Sequence, residues 1–223
     1  MAFAELRSPL PPISFVIFDW DGTLSDSKTN IVACLRSTLA ALDVPAGDDV
    51  ELASVIGLSL DDVGRALIPH ADDSAAKAFS AQYRKQWYAA GPPSTKLFPG
   101  VRETLVTLRD RGLPLAVATG KNRAGLDREL GANELGEHFV ATRTADETRS
   151  KPDPQMLHEL LDEVGVPAEQ TVLIGDSHWD LQMANAAGVR AVAVSYGAQP
   201  IERLLEYSPW SQIDEITELL ERI

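Results

Sequence analysis

Two carboxylates one residue apart close an apolar run in Phe15-Val16-Ile17-Phe18-Asp19-Trp20-Asp21-Gly22-Thr23. A run this rich in β-branched and aromatic residues reads as a strand buried on both faces. Open α/β sheets bind ligands at the carboxyl ends of their strands, so Asp19 and Asp21 stand where chemistry is expected. Like charges this close are costly unless a cation or a shared proton relieves them, and a hard divalent ion such as Mg²⁺ suits oxygen ligands beside phosphate. Taken alone, Asp19 to Thr23 is also ordinary turn chemistry.

Three further clusters have chemical capacity. In Leu115-Ala116-Val117-Ala118-Thr119-Gly120-Lys121, a hydroxyl and a glycine at a strand end can offer an O–H and a backbone N–H to one oxygen, although such a pair is as often a plain turn. In Ser150-Lys151-Pro152-Asp153-Pro154, prolines fix the backbone around a lysine ahead of a helix; many lysines so placed are merely solvated. In Val172-Leu173-Ile174-Gly175-Asp176-Ser177-His178-Trp179-Asp180, a buried strand ends at one carboxylate and a second follows at the start of a helix, where an acidic residue also suits the dipole.

The elements that must position these residues are strands alternating with helices. Strand patterns cover 13–18, 113–118, 138–142, 171–174 and 190–194. Apolar stripes at helical spacing lie between the later ones: Val101, Leu105 and Leu108 before Gly112; Met156, Leu157, Leu160, Leu161 and Val164 before Gly165; Leu181, Ala184 and Ala187 before Gly188. The alternation implies an α/β fold, a doubly wound, Rossmann-like parallel sheet. Ile213, Ile216, Leu219, Leu220 and Ile223 suggest a final packed helix. Residues 25–90 show no convincing strand but two helical stripes, Ile31-Leu35-Leu39-Leu42 and Phe79-Tyr83-Trp87-Ala90, with Asp26 or Ser27 and Asp73 or Ser74 as N-caps. That interval is too long for a βα connection and reads as an inserted helical domain, with Gly91 to Thr95 as the return linker. The expected division is a core of 1–24 and 92–223 and a helical cap of 25–91.

The Asp-x-Asp-Gly-Thr motif after a strand resembles the first motif of the haloacid dehalogenase superfamily, most of whose members are Mg²⁺-dependent phosphatases. The other three clusters, in the same order, resemble its remaining motifs, so the resemblance covers Phe15 to Asp180. It implies that Asp19 is the nucleophile that forms an aspartyl-phosphate, and that Asp21 protonates the leaving oxygen and then deprotonates the attacking water. Thr119 and Gly120 would bind the phosphate, and Lys151 would neutralise Asp19 and the phosphoryl oxygens. Mg²⁺ would be held by Asp19, by the Asp21 backbone carbonyl and by Asp176, with Asp180 acting through a metal-bound water or by orienting Lys151. Dehalogenases of the family lack the second aspartate, so Asp21 implies phosphoryl transfer. His178 has no role in this scheme, and Trp20 contributes its backbone.

Ala191 to Gly197, Gly175-Asp176-Ser177 and the compact cap resemble the phosphoglycolate-phosphatase-like branch, which hydrolyses small phosphomonoesters. The related β-phosphoglucomutase pattern would place Lys before Gly57 and Arg three residues after it; this chain has Ile56 and Leu60 there, which disfavours a second phosphate. Residues 56–60 are also readable as a plain helix–helix loop with no ligand contact. A non-enzymatic phosphoacceptor module of the receiver type would leave Asp21 unexplained.

With 20 basic and 33 acidic residues in 223, the formal charge of −13 argues against a surface that tracks nucleic-acid phosphates. Cys34 is the single cysteine and lies in an apolar helical stripe, so a packed thiol and a reducing compartment are expected. No stretch has the unbroken apolar length of a membrane span and the first residues lack a secretory pattern, so a soluble cytoplasmic protein acting on a small molecule is expected.

Overall fold

The computed structural model describes residues 11–89 and 96–223. The expected linker at Gly91 to Thr95, and Ala90 at the end of its stripe, lie outside them. Strands β1 (Phe15–Phe18), β4 (Leu115–Thr119), β5 (Ala141–Thr144), β6 (Thr171–Gly175), β7 (Arg190–Val194) and β8 (Ser211–Ile213) form one six-stranded sheet in the order β5-β4-β1-β6-β7-β8. Every pairing in it is parallel. A two-stranded antiparallel ribbon joins β2 (Ser25–Asp26) to β3 (Lys96–Leu97).

Alternation along the strands builds two separate cores. Val16, Phe18, Leu115, Val117, Val172, Ile174, Val192 and Val194 face one side, where α5 (Val101–Asp110), α6 (Arg123–Ala132) and α10 (Leu219–Arg222) pack. Phe15, Ile17, Ala116, Ala118, Leu173, Ala191 and Ala193 face the other, against α7 (Gln155–Val164), α8 (His178–Ala187) and α9 (Ile201–Leu205). A third cluster, built on Leu35, Leu39, Leu52, Val63 and Phe79, holds together α1 (Lys28–Ala41), α2 (Asp49–Ser54), α3 (Leu60–Leu67) and α4 (Asp73–Ala89). Among the described residues no helix is long and apolar enough to cross a membrane.

Several boundaries differ from expectation. The strand expected at 138–142 runs from Ala141 to Thr144, because its register is set by pairing Ala116 with Ala141 and Thr119 with Thr144; Gly136–His138 instead forms a 3₁₀ turn. The interval expected to lack strands contains β2, whose two residues are too few to show periodicity and whose partner is distant in sequence. α4 is capped neither by Asp73 nor by Ser74: Asp72 Oδ1 accepts from the Ala75 N–H at 2.8 Å. Ser27 does stand before α1, but its hydroxyl donates to Asp21 Oδ1 rather than capping. The expected C-terminal helix is split: Ile213 pairs with Val194 as the last strand residue, Ile216–Glu218 is a 3₁₀ turn, and only Leu219–Arg222 is α-helical.

Candidate active site

β4, β1 and β6 are neighbours in register, Phe18 lying beside both Val117 and Ile174. Residues just past these strands must therefore meet at one edge, and they are Asp19, Thr119 and Asp176. All three are buried, as are Asp21, Lys151 and Asp180.

A chain of hydrogen bonds fixes the first cluster from α8 inward. Ser177 begins this helix with a capping box, its hydroxyl donating to Asp180 Oδ2 at 2.5 Å while its backbone N–H donates to the same oxygen at 3.2 Å. Asp180 Oδ1 then accepts from Lys151 Nζ at 2.6 Å, and Lys151 reaches Asp19 Oδ1 at 2.7 Å. Asp176 is held separately: Oδ1 accepts from the Thr23 hydroxyl at 3.1 Å and Oδ2 from the Ala198 N–H at 2.6 Å. Gly22 permits this contact, since at φ +82° a β-carbon there would lie 2.1 Å from Asp176 Oδ2.

Electrostatically the cluster is overloaded with negative charge. Three carboxylates, from Asp19, Asp176 and Asp180, place ligand atoms within 4.8 Å of one another. Burial pushes Asp19 well above the usual carboxylate range, against the opposing pull of Lys151. Burial, reinforced by Asp180, pushes Asp176 up to about 7. Burial also works against the charge on Lys151, yet Asp180 and Asp19 hold its pKa above the ordinary lysine value. In this cluster Asp19 Oδ2 is buried with no hydrogen-bond partner among the described residues. An unpartnered buried carboxylate oxygen beside two more carboxylates is a site a hard divalent cation fits, because the ion would supply both the missing partner and the missing positive charge.

The second cluster surrounds Asp21. Its Oδ1 accepts from Ser27 Oγ at 2.7 Å and lies 3.0 Å from Lys121 Nζ, which also contacts Glu129 Oε1 at 2.9 Å. Glu129 Oε2 in turn accepts from Trp20 Nε1 at 2.5 Å. Burial raises the Asp21 pKa, Lys121 lowers it and Glu129 raises it, and the net direction is upward.

Each residue singled out from the sequence lies at this edge, in one cluster or beside it. Thr119 Oγ1 accepts from the Lys121 N–H at 3.2 Å, and Gly120 packs under residues 57 and 58 so closely that a β-carbon would lie 2.3 Å from the Gly57 carbonyl oxygen. Residues 56–60 line the cavity above the carboxylates, and the Ser59 N–H donates to Ser150 Oγ at 3.0 Å, next to Lys151. His178 lies outside the two clusters: buried, its pKa lowered by that burial, it bonds Gln199 Oε1, whose amide nitrogen reaches the Ser54 carbonyl at 3.0 Å. Sequence reasoning missed Ser27, Glu129 and the Trp20 indole bond. Their partners are set by the turn after β1 and by the face α6 presents, and no local pattern marks either.

A family model described as haloacid dehalogenase-like hydrolase matches residues 16–194. A phosphoglycolate phosphatase of Pseudomonas savastanoi pv. phaseolicola is 34% identical over 211 residues, covering 92% of this chain and 78% of the relative. A Dickeya dadantii protein named "Probable phosphatase IndB" is also 34% identical, over 92% of this chain and 91% of its own length. Among solved structures, a haloacid dehalogenase-like hydrolase from Bacteroides fragilis superposes with a TM-score of 0.87 at 27% identity, covering 93% of this chain and 99% of that one.

Proposed function

The chain belongs to the haloacid dehalogenase-like hydrolases and is a phosphoric monoester hydrolase, and from that premise we propose a Mg²⁺-dependent phosphatase that works through an aspartyl-phosphate. The observation that carries the proposal is Asp19 itself, with one oxygen on Lys151 and the other buried without a partner. In this reading Asp19 attacks phosphorus while the bond to the leaving oxygen breaks, and Asp21 delivers its proton to that oxygen. Asp21 then takes a proton from the water that cleaves the acyl phosphate, regenerating both carboxyl groups. Thr119, the Gly120 N–H and Lys151 bind the non-reacting phosphoryl oxygens. Asp19, Asp176 and the Asp21 carbonyl would hold Mg²⁺, with Asp180 orienting Lys151. The ion, when bound, would neutralise charge on the transferring phosphoryl group.

Residues 25–91 serve as a cap over a core of 1–24 and 92–223, enclosing the substrate and excluding water. We put 2-phosphoglycolate first on a substrate panel, after the name of the relatives. Mutase chemistry is disfavoured because Ile56 is buried in the helical cluster and Leu60 packs beside it, so neither can hold a second phosphate. The single thiol, Cys34, is buried, which suits a reducing cytoplasmic setting. The test is multiple turnover on a panel of small phosphomonoesters, with phosphate release requiring Mg²⁺ and stopping on chelation. Full activity in metal-free buffer would sink the metal assignment, and a single stoichiometric phosphorylation without turnover would favour a phosphoacceptor module.

A further inference from the structure

The cavity that opens onto Asp19 and Asp21 measures about 520 Å³. That lies within the roughly 300–1,000 Å³ of sites that enclose drug-sized ligands. Part of its wall is apolar, formed by Ile31, Leu35, Val55, Val63, Tyr83 and Trp87. Tyr83 and Trp87, one turn apart on α4, stack with ring centroids 5.7 Å apart and planes 17° from parallel. Lys121 Nζ lies 5.8 Å from the centre of the Trp87 ring, so this aromatic pair borders the second cluster directly.

We propose that the preferred substrate carries a flat apolar or aromatic body on its leaving group, seated against Tyr83 and Trp87. The inference rests on the phosphatase assignment and deepens it. A two-carbon acid such as glycolate would fill little of the cavity and leave these walls in contact with water. Its carboxylate would also find Lys121, the lysine lining the cavity, already held between Asp21 and Glu129. Arg84 and Arg128 lie at the exposed rim, and Arg128 stacks on Tyr88 at 4.6 Å. There water screens their charge. A ring instead removes apolar surface from water on itself and on half-buried Trp87, while Tyr83, buried and stacked on both Phe79 and Trp87, backs that ring.

The test compares 2-phenylethyl phosphate with ethyl phosphate and 2-phosphoglycolate, all with Mg²⁺ present. Both alkyl esters lose a primary alkoxide, so their ratio reports the ring and not intrinsic reactivity. The expected kcat/KM for the phenylethyl ester exceeds that for the ethyl ester by about tenfold or more, and exceeds that for 2-phosphoglycolate. Trp87→Ala should bring the ring preference close to one, and Trp87→Phe should retain most of it. If Trp87→Ala fails to fold, the wild-type ratios and Trp87→Phe decide. Equal rates on the two alkyl esters, or a clear preference for 2-phosphoglycolate, would overturn the inference while leaving the phosphatase assignment intact. No turnover of any ester would overturn both.

Discussion

Asp19 and Asp21 are two residues apart yet sit in different electrostatic surroundings. Asp19 shares Lys151 with Asp180, and Asp21 shares Lys121 with Glu129. Asp19→Asn should therefore abolish the phosphoenzyme, read as loss of the acid-stable label that a labelled substrate transfers to the protein. Asp21→Asn should cost about 10²–10⁴-fold on an alkyl phosphate and much less on an activated aryl phosphate, whose leaving group needs no proton. Equal damage to both would make Asp21 a structural group. Asp176 supplies a pH prediction. Burial lifts it from its usual 3.8 to about 7, so metal-free protein binds a proton there that the unfolded chain has released. That contribution favours the fold near pH 4 and is lost as pH rises through about 7. A divalent ion competes with this proton, so the rise in Tm on adding Mg²⁺ should be small at about pH 5.5 and larger at about pH 8. A gain independent of pH would remove Asp176 from the metal site.

At the scale of elements, α8 is the scaffold of the site, since its first turn fixes Asp180, and Asp180 fixes Lys151. Ser177→Ala should cost about 1 kcal/mol of stability, hence about 2–4 °C in Tm, and should lower kcat by loosening Lys151. Unchanged kcat with a lowered Tm would confine Ser177 to capping. Gly120→Ala should cut kcat/KM at least about tenfold, because its β-carbon would meet the Gly57 and Leu58 carbonyl oxygens at 2.3 and 2.6 Å and push that segment off the site. The elements were legible where periodicity was long. The strands at β1, β4 and β6 follow from continuous apolar runs, and Asp19, Thr119 and Asp176 become neighbours once those strands are parallel. The ribbon of β2 and β3 was not legible, being two residues a side, nor was the split C-terminus, where a helical stripe of isoleucines and leucines also satisfies a strand followed by a short turn. Glu129 was invisible for a third reason: an acid on a helix face says nothing about which lysine the fold brings to it.

For the whole molecule, the proposed division of labour predicts that removing residues 25–91 should leave slow hydrolysis of an aryl phosphate, because Asp19, Asp21, Lys151, Asp176 and Asp180 all lie outside that segment, although the deletion takes Ser27 away from Asp21. Discrimination among natural substrates should vanish. Circular dichroism must first show that the deleted protein folds; the same substrate ranking in a folded deletion would shift specificity to Lys121 through Arg123, which line or flank the cavity floor. The antiparallel ribbon gives that helical segment a particular property. Chain entry at Ser25–Asp26 and return at Lys96–Leu97 are hydrogen-bonded side by side, with the roughly 5 Å spacing of neighbouring strands. Two splices one strand-width apart, the first placed after Ser27 so that Asp21 keeps its hydrogen bond, are thus enough to lift the helical segment off and graft another on with the carboxylates left in place. A lineage with this layout can change its diet by exchanging a lid while keeping the same teeth.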